Sequence, residues 1–534
     1  MEIKNIYTKI KELIERNQFV LYLVIFIIVL FTYLWVQSSP TFLDPDSYYH
    51  LKISRLIYEN RGPIINFPWL QFTVLKNYYI DHHFLYHVLA VPFILLFGDF
   101  PGFKFFTVIL ATAFVLLSYT FFKRYKLIYP EIFILTLLFA PALLFRISLA
   151  KASAFSLLIL FFGIYCLFKR YYYLLFLLSF FYVWSYGGFL LILGVTGIYV
   201  LSEAVNKMIK RNLAKSYNHN LIFLFKHIFN IENLKLVFAS ATGIICGLII
   251  NPYFPKNLLF YWQQIVQIGL VNYRKVVNVG GEWYPYNISN LLPDSGVIII
   301  FAALALVLFF IFHKKQKTES IFFLILSILF FILTLKSKRY VEYFIPFLVY
   351  FSAFSLTHSL QGINIAEYFK KIKKESARLG KIIFITIIYL AIIIPTIFIK
   401  DIIEIHKSFE GGIKFTRFSG IATYLKNNSA KGDIIMHTSW DDFPMLFYQN
   451  DKNYYIVGLD PTFMYKYNPN LYESYADITM AKKSDNLYQE IKNNFRASYF
   501  IVNKGRDQLE RNLILDDNFS KVYEDNDAKI FKLK

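Results

Sequence analysis

The sequence predicts a polytopic α-helical membrane protein of about 11–13 transmembrane helices, followed by a small C-terminal external α/β domain. Three observations carry that reading. The 534 residues are 56% hydrophobic and 20% aromatic, with a mean hydropathy of +0.44, more apolar surface than a soluble domain can hide. Apolar runs of near-spanning length recur along the chain, and dense basic clusters sit in the short gaps between them. After about residue 400 the composition changes to that of a soluble domain. The expected organisation is therefore a membrane domain over 1–400, with external loops 37–83 and 251–293, and an external domain over 401–534.

The elements follow in order. A basic, amphipathic stretch from Met1 to Asn17 precedes an apolar run too long for a signal peptide and without a small-residue cleavage site, so the first helix is expected to be retained. The main spans are Phe19–Trp35, Phe103–Phe122, Glu131–Phe145, Ala152–Phe168, Tyr171–Tyr186, Gly187–Leu201, Leu236–Ile250, Gly296–Phe312, Ser320–Leu335, Val341–Leu356 and Ile382–Ile399. The shorter run Phe84–Phe97 reads as tilted or re-entrant. With the N-terminus inside, Lys123, Arg124, Lys126, Lys169, Arg170, Lys207, Lys210, Arg211, Lys215, Lys314, Lys315, Lys317 and the stretch Lys370 through Arg378 all fall on one side. That is the positive-inside pattern of a multi-pass plasma-membrane protein, and it places the C-terminal domain outside the cytoplasm. The net charge of +20 is thereby explained without a nucleic-acid partner.

In the C-terminal part, strand-like runs Asp433–His437, Tyr454–Val457 and Tyr499–Val502 alternate with helical stretches such as Leu487–Asn494. No Gly-rich phosphate loop is present, and the two cysteines, Cys166 and Cys246, lie in apolar runs, which excludes a disulfide framework or a cysteine metal cluster.

Five groups of residues carry chemical potential, and all lie in the segments assigned to the outer side. Asp44-Pro45-Asp46 follows the first helix; paired carboxylates suit Mg²⁺ or Mn²⁺, although the same pattern also starts a helix with Asp46 as its cap. Asp81-His82-His83 with His87 crowds the entrance of an apolar segment, as a metal site, a proton shuttle, a phosphate cluster or an interfacial anchor. Glu282 follows two glycines in the second long outer loop, where it either completes a metal shell or stands as a surface acid. Lys338 and Arg339 break the positive-inside trend; they either meet a diphosphate or, for Arg339, pair with Glu342. Trp440, Asp441 and Asp442 follow the strand Asp433–His437 as an acceptor pocket or a helix start.

In this order, these segments resemble the catalytic subunit of oligosaccharyltransferases, in the C-type superfamily of membrane glycosyltransferases. Asp46-Ser47-Tyr48-Tyr49-His50 resembles the family's first external aspartate motif, Glu282 its flexible-loop glutamate, Arg339 its phosphate-contacting arginine, and Ser439-Trp440-Asp441-Asp442-Phe443 a shortened WWDYG motif. The departures are the turn Arg146–Ser153, which carries no carboxylate where the family has its second acidic motif, and Ser439, Asp442 and Phe443 in the third. The resemblance implies transfer of a sugar or oligosaccharide from a polyprenyl-(di)phosphate carrier to an acceptor on the outer face. Asp46, Asp44 and Glu282 would be catalytic; Arg339, Lys338, His82 and His83 would bind the donor phosphate. Trp440, Asp441 and Asp442 would bind the acceptor, whether protein, lipid or glycan. A divalent cation, Mg²⁺ or Mn²⁺, would sit on Asp46, Asp81, His82 and Glu282. The rival expectations are a C-type transferase acting on lipid or polysaccharide, and a non-catalytic relative or lipid-linked glycan transporter.

Overall fold

A computed structural model describes residues 18–210, 223, 225–271, 273–274, 276–362 and 377–534. The amphipathic N-terminal stretch, Arg211, Lys215 and most of the Lys370 to Arg378 cluster lie outside the described residues. The fold is mostly helical and strongly apolar: among the described residues, six helices are long and apolar enough to cross a bilayer, and eight if each of two bent pairs counts as one span.

A helix occupies the place of each expected span, but Ser153–Lys169 and Tyr172–Val183, at 17 and 12 residues, are short for a full crossing, and two further spans are bent. Glu131–Phe145 is broken into Pro130–Leu138 and Pro141–Ser148, which meet at 64°. Pro141 explains the break, because it cannot complete the preceding helical ladder and it turns residue 140 to an extended conformation. The apolar helix Ile298–Ile311 is likewise joined at 95° to a short helix, Ile288–Asp294, with Pro293 in its last turn. The last long helix, Ala377–Glu410, runs ten residues past the boundary expected at 400, so the sheet-bearing part begins after Gly412.

Phe84–Phe97 is a helix with both ends on one face. His83 at its start donates to the Ser185 carbonyl at 3.1 Å, while Asp99, just past its end, accepts from Tyr448 of the C-terminal domain at 2.8 Å. At about 1.5 Å per residue it spans only about 21 Å, less than the roughly 30 Å apolar core of a bilayer. Gly98 makes the return turn at φ +84, and a Cβ at Gly102 would collide with the Phe93 carbonyl, so glycine is what lets the Asp99–Arg124 helix fold back against its neighbour.

The C-terminal domain carries a five-stranded mixed sheet in the order β4–β3–β5–β7–β6: Tyr454–Tyr455, Ile434–His437, Ala497–Asn503, Ala528–Leu533 and Phe519–Glu524. β3 pairs in parallel with β4 and β5, and β7 pairs antiparallel with β5 and β6. The three expected strands are among these, with ends shifted by up to two residues. The domain is tied to the helical body twice. The two-stranded pair of β1 (Thr41–Phe42) and β2 (Ile413–Lys414) joins the segment after the first helix to the domain's entrance, and Leu70 bridges to Tyr455 at the sheet edge. The sheet, the segment after residue 37, the turns near 150, 186 and 338, and the Glu282 loop thus share one face of the molecule.

Candidate active site

On that face five connections deliver charged side chains to one place. The first is the start of the Asp46–Glu59 helix, which Pro45 opens with helical dihedrals; Asp46 is its first residue rather than its cap. Asp44 Oδ1 accepts the Asp46 backbone N–H at 2.9 Å, so the two carboxylates are fixed relative to one another. Between them stands Lys151, from the turn joining Pro141–Ser148 to Ser153–Lys169. Its ammonium lies 2.7 Å from Asp44 Oδ2 and 2.9 Å from Asp46 Oδ2. Burial pushes Asp46 up to about 6, against the pull of Lys151. Burial works to lower Lys151, but Asp44 and Asp46 outweigh it and hold the ammonium well above its ordinary value.

Beside them is a second cluster. Arg146 Nη1 donates to Glu282 Oε2 at 2.7 Å, and its other edge donates twice to Glu342 Oε2, at 3.1 and 2.8 Å. Glu342 is fully buried and is Arg146's partner; Arg339 pairs elsewhere. Arg339 Nη2 donates to the Tyr186 hydroxyl at 3.0 Å, its guanidinium stacks 4.9 Å above Trp283, and Glu282 Oε1 lies 3.8 Å away. Burial alone would raise the Glu282 carboxyl; Lys151, Arg146 and Arg339 overcome it and hold the group well below the usual range. The Glu282 loop is clamped in place, with Ser337 Oγ donating to the Glu282 carbonyl at 2.8 Å and Lys338 N–H to the Tyr284 carbonyl at 2.9 Å.

These groups surround two adjoining cavities. The smaller, about 150 Å³, is lined by Asp46, His50, His82, His83, Glu282 and Arg339 among others. The larger, about 980 Å³, shares Asp46, Arg146, Lys151 and Glu282 and extends past Asp44, Lys338, Trp440 and Asp441 to the apolar helix ends at Phe145, Val341 and Ile405. Asp46, Asp44, Glu282, Lys338, Arg339, His82, His83, Trp440 and Asp441 are thus brought together from segments hundreds of residues apart. Trp440 Nε1 donates to the Asn278 carbonyl at 3.1 Å, so the sheet domain grips the Glu282 loop.

Two sequence candidates stand apart. Asp442 is buried inside the sheet domain, where its carboxylate accepts from Asn503 Nδ2 at 3.1 and 2.9 Å and from the Ser439 N–H at 3.2 Å. Burial raises it to about 7, and it serves the capping box that starts the helix. Asp81 is likewise buried: its Oδ1 accepts the His83 N–H at 3.0 Å, and its Oδ2 lies 2.7 Å from His87 Nδ1.

The divalent cation implied by the family resemblance does not fit the donors present. Among the described residues, no three His, Cys, Asp or Glu side chains come together in a group able to hold a metal ion. Of the four expected ligands, Asp46 is bridged by Lys151, Glu282 is held by Arg146, Asp81 points to His87, and His82 packs beside Phe260 with ring centroids 5.2 Å apart. Lys151 comes from the very turn that lacks the family's second acidic motif. Sequence reasoning passed over it, along with Arg146, His50 and Tyr186. For Lys151 a signal existed, since a lysine in an outer-side turn breaks the positive-inside trend just as Lys338 and Arg339 do.

The chain shares its overall fold with solved structures of an oligosaccharyltransferase and of ArnT. Among solved structures, it is similar to the oligosaccharyltransferase AglB of Archaeoglobus fulgidus in complex with an inhibitory peptide and a dolichol-phosphate. The TM-score is 0.59 at 12% identity, covering 91% of this chain and 70% of that one. It is also similar to the same oligosaccharyltransferase tethered to an acceptor peptide with an NVT sequon, with a TM-score of 0.54 at 13% identity over 90% and 69% of the two chains. ArnT of Cupriavidus metallidurans, bound to undecaprenyl phosphate, matches with a TM-score of 0.52 at 12% identity over 96% and 98% of the two chains. No protein-family model matches the sequence, and no curated protein does.

Proposed function

We propose that the protein transfers a sugar or oligosaccharide from a polyprenyl-(di)phosphate carrier to an acceptor at the outer face of the plasma membrane. The observation that carries the reading is the meeting of Asp46, Lys151, Glu282 and Arg339 around one cavity, which adjoins a larger one that shares Asp46, Lys151 and Glu282 and reaches the apolar side chains of Phe145, Val341 and Ile405. A lipid carrier needs that pairing of a charged pocket with an apolar one. The dolichol-phosphate and undecaprenyl phosphate in the compared structures support the same donor class.

In this reading the membrane domain and the sheet domain divide the work, the first binding the donor and the second bounding the acceptor space. The C–O bond to phosphate breaks as the acceptor attacks the anomeric carbon, and negative charge grows on the phosphate oxygens. Arg339, with Lys338 beside it, meets that charge; its guanidinium is fixed in advance by Tyr186 and Trp283, so little reorganisation is needed as the charge develops. Lys151 supplies a second fixed cation between the two aspartates. Asp46 bonds the acceptor, Glu282 holds Arg339 and Arg146 in position, and Trp440 and Asp441 border the acceptor's path. The dense basic clusters at Lys123, Arg124, Lys169, Arg170, Lys314 and Lys315 lie at the other ends of the helices, which favours an outer-side position for the sheet domain.

The test is turnover of labelled polyprenyl-phosphate and polyprenyl-diphosphate sugars by the full chain in lipid nanodiscs. Transfer or release of the sugar that disappears in Asp46→Asn at unchanged protein yield is the expected result. Absence of turnover with every carrier, or full activity in Asp46→Asn, overturns the reading.

A further inference from the structure

Asp81 and His87 bear on the site through a third residue. Three side chains form a line from the buried interior to the smaller cavity: Asp81 Oδ2 is 2.7 Å from His87 Nδ1, and His87 Nε2 is 2.8 Å from His50 Nδ1. Asp81 and His87 are almost completely buried. His50 lines the cavity that holds Asp46, four residues earlier on the same helix and therefore on the same face.

The line has only one consistent proton arrangement when its carboxylate is ionised. An ionised Asp81 accepts, so His87 Nδ1 carries the proton. Neutral His87 then has a bare Nε2, which can only accept, so the proton between the rings sits on His50 Nδ1. That leaves the lone pair on His50 Nε2, which makes no hydrogen bond among the described residues. His83 offers a contrast. Its Nδ1 donates to the neutral Ser185 carbonyl at 3.1 Å, so no carboxylate is hydrogen-bonded to its ring. Asp46 is the other candidate base, but Lys151 occupies its carboxylate.

We propose that His50 is the general base of this site, with His87 and Asp81 as positioning residues that fix its tautomer, and that the acceptor is accordingly a hydroxyl of a sugar or lipid. The assignment rests on the transferase reading above. As the acceptor oxygen attacks the anomeric carbon, one of its lone pairs forms the new C–O bond, its proton passes to His50 Nε2, and the O–H electrons stay on the oxygen. The old C–O bond breaks, and its electron pair leaves on the phosphate. The imidazolium charge is shared along the line, because the proton between the rings can move to His87 Nε2, next to the Asp81 carboxylate. A hydroxyl oxygen keeps its lone pairs, so one base suffices. An amide nitrogen has its lone pair delocalised into the carbonyl, so it cannot attack while still protonated, and its N–H is too weak an acid for one imidazole to remove beforehand.

The test uses the full chain in nanodiscs with a labelled short-chain polyprenyl-phosphate sugar, methanol and 2,2,2-trifluoroethanol as probe acceptors, and an Asn-x-Thr peptide as a third arm. Wild type transfers to the alcohols and not to the peptide. His50→Ala loses about 100-fold or more on methanol and less than about tenfold on trifluoroethanol, whose more acidic hydroxyl needs less help, in the range a positioned base supplies. Free imidazole restores methanol transfer in His50→Ala, which a misfolded variant does not allow. Asp81→Asn and His87→Gln lower kcat with an unchanged donor KM, and their loss is again larger on methanol; a purely structural role moves both alcohols equally. Equal losses on the two alcohols without imidazole rescue, or an unimpaired His50→Ala, overturn the base assignment while the transferase reading stands. Transfer to the peptide overturns the hydroxyl acceptor. No turnover by wild type with any carrier removes the reading beneath it.

Discussion

The Lys151 ammonium stands 2.9 Å from Asp46 Oδ2, a cation already seated where the family resemblance leads one to expect a metal. Its second contact, 2.7 Å to Asp44, makes it a bridge between the two carboxylates of the first outer motif. A fixed ammonium can neutralise both aspartates and still meet a phosphate oxygen across the shared cavity.

Sugar transfer is therefore expected to proceed without added divalent ions. EDTA should leave the rate within about twofold, and Mn²⁺ should not stimulate it. Lys151→Met should lose about 10²–10³-fold in kcat, the scale of removing one preorganised charge from such a site. Turnover measured in chelator-treated nanodiscs decides between the two; full loss with EDTA and recovery with Mg²⁺ would show that a metal displaces the lysine.

Much of this was legible in the sequence, and the limits are instructive. Apolar periodicity and basic clusters located the spans, because desolvation dictates where charges sit in a bilayer protein. The outer-side acids and Arg339 were found for the same reason: polar groups against the trend stand out. The partners of those groups were not legible. Arg146 meets Glu342 across 196 residues, and Lys151 meets Asp46 from the later turn after Pro141–Ser148, through helix packing that no local pattern encodes. Asp442 misled because an acid after a strand looks alike whether it faces a cavity or caps its own helix.

Arginine at 339 is expected to be needed for its shape as well as its charge. Tyr186 binds one edge at 3.0 Å and Trp283 supports the plane at 4.9 Å, neither of which an ammonium reproduces. Arg339→Lys should lose about 10–100-fold in kcat and Arg339→Ala more, with acceptor KM unchanged. Steady-state kinetics on the labelled donor give the answer; wild-type turnover in Arg339→Lys would reduce the role to simple charge.

The rate should fall as pH drops through about 6. Burial raises Asp46 to about 6, so its carboxylate is protonated below that point and can no longer pair with Lys151 or bond the acceptor as an anion. The stability consequence has the opposite sense. A carboxyl raised above its unfolded value favours the fold when protonated, so its contribution erodes as pH rises from about 4 through about 6. The kcat/KM profile reads the first effect; an acid limb near 4 would show that ionised Asp46 is not required.

Glu342→Leu is expected to destabilise the protein by about 3–5 kcal/mol, because it strips a fully buried carboxylate from Arg146 and leaves that guanidinium with Glu282 alone. Thermal unfolding in nanodiscs measures it. Turnover should fall as well, since Glu282 would then meet an arginine no longer held from behind. An unchanged midpoint would mean the buried pair only balances its own desolvation.

In the proposed reading, the sheet domain's part is separable from the donor's. Trp440 borders the larger cavity and reaches across to the Asn278 carbonyl at 3.1 Å, while the donor-side groups Arg339 and His83 line the smaller cavity, where Trp440 is absent. Trp440→Ala removes an aromatic wall from the acceptor space and loosens the Glu282 loop at its far end only, because Ser337 and Lys338 still clamp the near end. Acceptor KM should rise about tenfold, equivalent to about 1.4 kcal/mol of binding. Donor KM and the slow hydrolysis of the donor by water should stay within about twofold. Equal increases in donor and acceptor KM would mean that Trp440 acts by holding Glu282, and the two halves of the cavity would then have to be treated as one binding unit.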